Sequence, residues 1–102
     1  MKVYNKLVRD KIPEIIEVDG ITCKTRILSD EEYIDSLEAK LNEEVAEYQA
    51  DKNLEEMADV LEVLQAICVA RGYSLEELDA MRLKKADERG GFAEKIFLEY
   101  VE

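Results

Sequence analysis

Three times along this chain, a residue that can cap a helix is followed three positions later by glutamate: Ser29 and Glu32, Asn53 and Glu56, Ser74 and Glu77. In such a capping box the first side chain accepts a hydrogen bond from the N3 backbone N–H, and the glutamate reaches back to the N-cap N–H. The pattern divides most of the sequence into three helices, predicted at about 30–50, 54–71 and 75–89. Gly72 ends the second, and Gly90-Gly91 end the third. Pro13 suits a first helical position, so a short helix is predicted from Pro13 to Glu17, entered from Asp10 or Ile12, with Asp10 as a candidate cap. After the Asp19-Gly20 turn, "ITCKTRIL" alternates, with Ile21, Cys23, Thr25 and Ile27 on one side, and reads as a strand. The tail "KIFLEYV" is rich in aromatic and β-branched residues and reads as a pairing strand or a short docking segment. The expected fold class is mainly α, a helical bundle with a minor two-stranded β element at about 21–28 with 95–101.

At 102 residues the chain suits one domain, 1–102, and buries a limited core that association often completes. Apolar residues are 47% and charged residues 38%, a folding composition. The net charge of −11 argues against duplex nucleic acid and anionic membranes, both of which need basic surface. The absence of histidine excludes histidine-based catalysis and most zinc sites. Cys23 and Cys68 have no CxxC spacing and read as buried free thiols of a reducing compartment. "MKVYNKLVRDK" lacks the apolar run of a signal peptide, and no segment has the length of a membrane span. The expected location is therefore the cytoplasm.

The stretch "LNEEVAEYQADKNLEEMADVLEVL" is where helix and charge conflict. Ile34, Leu37, Leu41, Val45 and Tyr48 give the first long helix its apolar stripe, with Glu44 at the edge and Glu47 one turn along. The next helix is apolar nearly all round, through Met57, Val60, Leu61, Val63, Leu64, Ile67, Cys68 and Val69, and is expected to be central and mostly buried. It nevertheless carries Glu55, Asp59 and Glu62 as one stripe, with Glu56 within a turn of Asp59. The short loop "ADKN" makes the two helices antiparallel neighbours whose acidic flanks can face each other. Carboxylates collected in a half-buried groove, without histidine, form a hard-oxygen site suited to Mg²⁺ or Mn²⁺. The simpler account stands beside this one: Glu56 as a capping residue, Glu43 facing water, and acidic helix runs as solvated faces.

Glu44-x-x-Glu47 followed by Glu56-x-x-Asp59 resembles the ExxE…ExxD signature of the MazG-like all-α nucleotide pyrophosphohydrolases, which include phosphoribosyl-ATP pyrophosphohydrolases and dimeric dUTPases. "YNKLVRDKIPEII" and "KADERGGF" resemble the small phosphoribosyl-ATP pyrophosphohydrolase-like group, and together these motifs cover most of the chain. The gap between the two halves, Tyr48 to Glu55, is shorter than is usual in the superfamily and implies a tight helix–helix turn. The resemblance implies a helical bundle whose active groove lies near a subunit interface. It implies that Glu44, Glu47, Glu56 and Asp59 hold Mg²⁺, with Mn²⁺ as the substitute, bridging the phosphates of a nucleoside triphosphate and activating a water. Attack at the α-phosphorus releases nucleoside monophosphate and pyrophosphate. Candidate phosphate-binding cations are Lys6, Arg9 and Lys11 near the start, and Lys84, Lys85 and Arg89 before the double glycine. The last three also suit the C-terminal turns of a helix for reasons of dipole alone. Homodimer is the first expectation for assembly and homotetramer the second. House-cleaning of canonical or damaged nucleotides is the favoured role. Phosphoribosyl-ATP hydrolysis in histidine synthesis and a noncatalytic helical dimerisation module are the alternatives.

Overall fold

The computed structural model describes residues 1–102 and is built of helices alone. They are α1 (Ile12–Val18), α2 (Asp30–Asp51), α3 (Leu54–Ala70) and α4 (Leu75–Arg89). α2 and α3 are joined by Lys52 and Asn53 only, and they pack together as an antiparallel hairpin. Lys52 takes the left-handed conformation, φ 51° and ψ 37°, which turns the chain sharply enough for so short a link. α4 follows after a second short turn and contacts α3 but not α2.

The caps form as the sequence dictates at α2 and α4, where Ser29 and Ser74 each complete a reciprocal box with Glu32 and Glu77. α3 is different. Asn53 Oδ1 accepts from the Glu56 N–H at 2.9 Å, but the Glu56 carboxylate does not return to the cap. α1 begins at Ile12 with Pro13 in its first turn, and Lys11, not Asp10, occupies the cap position without a side-chain bond.

The expected β element is absent. Neither 21–28 nor 95–101 forms a strand, and no backbone hydrogen bond joins the two segments. Alternation creates a strand only where a sheet face covers the apolar side, and an isolated two-stranded ribbon is marginal in water. Here Ile27 is 96% exposed.

The molecule is open. Its radius of gyration is 18.1 Å, where a compact chain of this length has about 13 Å. Only Leu37, Val63, Cys68 and Glu44 are buried. α3 is therefore not mostly covered within one chain: Leu54, Met57, Leu61 and Leu64 remain exposed, because α2 alone packs along its length. Cys68 is buried, with its Sγ 3.3 Å from the Ser74 carbonyl oxygen, whereas Cys23 is only half-buried; both are free thiols. No helix is long and apolar enough to cross a membrane.

Candidate metal centre

The α2–α3 hairpin brings together carboxylates 12 to 15 residues apart in sequence. Leu37 and Glu44 lie on the α2 face that meets α3, so the helix that buries the leucine also carries the glutamate inward. Glu56, Asp59 and Val63 lie at i, i+3 and i+7 on α3, and Val63 is buried. One carboxylate oxygen from each of Glu44, Glu56 and Asp59 falls within 4.8 Å of the other two.

Glu44 is 6% exposed, the only charged residue in the core. Its Oε1 is 3.3 Å from Lys40 Nζ, while its Oε2 is buried with no partner. Glu56 Oε2 is likewise buried and unpaired. Buried carboxylate oxygens without a partner are costly, and a cation is one group that would pair them. Burial pushes the Glu44 carboxyl above its ordinary pKa; Lys40 opposes that rise, while Glu47 and Asp59 add to it. Glu56 is raised by desolvation first, then by Glu47, Asp59, Asp51 and Glu44. These are hard oxygen donors with no nitrogen or sulfur ligand among them, the donor set of Mg²⁺ or Mn²⁺.

Basic groups ring the carboxylates. Arg9 Nη2 donates to Asp59 Oδ1 at 2.7 Å, and Lys6 Nζ donates to Glu43 Oε1 at 3.0 Å. Lys40 Nζ also reaches Glu43 Oε2 at 3.6 Å. The Lys6 bond raises the lysine pKa and lowers that of Glu43. Lys6, Arg9, Lys40, Glu44 and Asp59 line a cavity of about 240 Å³, with Val8 and Ile12 as its apolar wall. These ion pairs tie the irregular N-terminal segment to the hairpin, since α1 itself packs on no other helix.

The predicted residues thus divide. Glu44, Glu56 and Asp59 meet, and Lys6 and Arg9 stand beside them. Glu47 is exposed and outside the trio, but near enough to raise the pKa of both other glutamates. Glu43, expected to face water, is half-buried and held by two lysines. Glu55 and Glu62 are exposed, as solvated residues are. Lys84 and Arg89 lie on the exposed surface of α4, outside that cavity, and Lys84 Nζ is 3.9 Å from Glu88. Lys40 is the residue the sequence reading missed. Its spacing to Glu43 and Glu44, i+3 and i+4 on a predicted helix, is the signal that marks it.

An uncharacterized protein of Mycolicibacterium smegmatis is 58% identical to this chain over 45 residues, a match that spans 44% of this chain and 46% of that protein. No family model and no solved structure matches the chain.

Proposed function

We propose that this chain is a divalent-cation-dependent nucleotide pyrophosphohydrolase, cleaving a nucleoside triphosphate with water into nucleoside monophosphate and pyrophosphate. The observation that carries the reading is the buried Glu44 carboxylate, with its Oε2 unpaired, in a trio with Glu56 and Asp59. A protein carrying −11 repels a polyanion, so a triphosphate needs a cationic bridge together with placed basic groups. Residues suited to each are at hand here. Glu44, Glu56 and Asp59 would hold the cation, and the nearby Glu47 would be a candidate further ligand. Bound Mg²⁺ or Mn²⁺ would supply charge neutralisation of the phosphates and Lewis acidity toward the attacking water. Lys6 and Arg9 bind phosphate oxygens from the opposite wall of the cavity. Lys40, 3.3 Å from Glu44 Oε1, favours the charged form that a metal ligand needs and opposes the effect of burial. The ExxE…ExxD arrangement of the MazG-like enzymes supports the same assignment, and nucleotide house-cleaning is the role it suggests.

One observation favours a second reading. The uncovered apolar face of α3 suits a helical association module in which the carboxylates only line the hairpin. Pyrophosphate release separates the two. The purified chain is assayed with and without Mg²⁺ or Mn²⁺ on natural and modified (d)NTPs and on phosphoribosyl-ATP, with Glu44→Gln in parallel. Metal-dependent release lost in the variant supports the enzyme and identifies the substrate class. No release from any compound, with melting unchanged by metal, rejects the enzyme in favour of the module.

A further inference from the structure

We propose that Arg9 is an exchangeable counter-ion: it holds Asp59 while the site is metal-free and turns to the nucleotide phosphates when a divalent cation takes its place. This rests on the pyrophosphohydrolase reading. Six carboxylates gather here, Glu43, Glu44, Glu47, Asp51, Glu56 and Asp59, and three cations face them, Lys6, Arg9 and Lys40. The cluster is short of positive charge, which a divalent ion would supply. Lys6 and Lys40 are anchored on Glu43 and Glu44. Lys40 also sits on a trio member, Glu44, but from within the same helix at i+4 and shared with Glu43, whereas Arg9 reaches its trio member, Asp59, from a separate segment of the chain.

Nothing else in the chain fastens the Arg9 side chain, whose one hydrogen bond is to Asp59. A guanidinium has five N–H donors, so most of its capacity is free. Its side chain is 55% exposed, so the group stands at the mouth of the cavity, where a ligand would enter. A divalent cation and a guanidinium on one carboxylate repel each other, and the monovalent partner gives way. Only the side chain has to move, so the Arg9 carbonyl keeps accepting from the Ile12 N–H at 3.0 Å, at the start of α1. Val8 and Ile12 keep the segment against the cavity while the arginine moves. The forked guanidinium then matches phosphate oxygens, a task a point charge does less well.

The test is calorimetric titration of Mn²⁺ alone into the metal-free full chain, then of tripolyphosphate into the Mn²⁺-loaded protein. Wild type, Arg9→Ala and Arg9→Gln are compared, with circular dichroism as the check on folding. Loss of an exposed competing ion pair makes Mn²⁺ binding about two- to fivefold tighter. Loss of charged hydrogen bonds makes tripolyphosphate binding about tenfold weaker or more. A residue that merely braces the fold weakens both or moves neither, and either result overturns the exchange. Wild type that binds Mn²⁺ while the variants bind it no tighter overturns the exchange and leaves the metal site standing. Folded wild type that binds no Mn²⁺ overturns both.

Discussion

The N-terminus of α3 and those of α2 and α4 begin from the same local code and end differently. At Ser29 and Ser74 the glutamate three residues on turns back to the cap. At Asn53 the cap forms, but Glu56 turns to Glu44 and Asp59 and leaves an oxygen buried and unpaired. A capping bond to glutamate contributes about 1 kcal/mol, whereas a buried unpaired carboxylate costs more. A helix start that forgoes the first and accepts the second is poorly explained by stability alone. It is well explained by a site that a cation completes.

Glu44→Gln sets that contrast at its sharpest. Pyrophosphate release is expected to fall at least about a hundredfold, the scale of losing one group that acts on the transition state. Thermal melting of the metal-free variant is expected to hold or rise by a few degrees, because an unpaired buried charge has gone. A variant that is both inactive and strongly destabilised breaks the comparison and returns Glu44 to a structural role.

Metal titration is the next largest effect. Mg²⁺ or Mn²⁺ at a hundred times its dissociation constant is expected to stabilise the folded protein by about 2.7 kcal/mol. The shift is read as an upward move in melting temperature that Glu56→Ala abolishes and Glu77→Ala keeps. Equal responses from the two variants show that the two glutamates do the same job.

The caps give a smaller difference. In metal-free buffer Glu32→Ala and Glu77→Ala are expected to lower the midpoint of denaturant melts, while Glu56→Ala leaves it unchanged or raises it. Asn53→Ala still costs about 1 kcal/mol, because the Asn53 bond to the Glu56 N–H is an ordinary cap.

The smallest effect is on the acid limb of stability. Arg26 donates to both Glu32 oxygens, at 3.3 and 2.9 Å, and with Ser29 lowers the Glu32 pKa from 4.5 to about 2. A depressed carboxylate contributes stability above its unfolded value, and that contribution drains away as pH falls from about 4.5 toward 2. Glu32→Gln is expected to flatten this part of the pH–stability curve, whereas Glu56→Gln leaves it unchanged.

Much of the architecture was legible along the chain. Helix starts at Ser29, Asn53 and Ser74, and the stops near Gly72 and Gly90, follow from side chains within four residues of each boundary, whereas the left-handed Lys52 that ends α2 carried no such signal. The tight turn between α2 and α3 was implied by the short gap after Tyr48, although the link is two residues where the loop "ADKN" suggested four. The strands at 21–28 and 95–101 misled, because alternation records a preference for a half-covered surface and this chain supplies no sheet to provide one. The expectation of a buried α3 misled in the same way: apolar residues all round say that a helix wants covering, not that its own chain covers it.

Sequence by itself determined the helices, their boundaries and the crowding of acid on one hairpin, since capping and periodicity act over a few residues. Tertiary structure decided which acids matter. Glu55 and Glu56 are neighbours in sequence, yet one faces solvent and the other joins Glu44 across the hairpin. Helical phase and the packing of Leu37 and Val63 set that difference, and with it the burial that raises Glu44 and Glu56 above ordinary carboxylates. Lys6 and Arg9, separated from their partners by 37 and 50 residues, reach them only through the folded chain, since charges screen within about 8–10 Å and pair only where the fold brings them close.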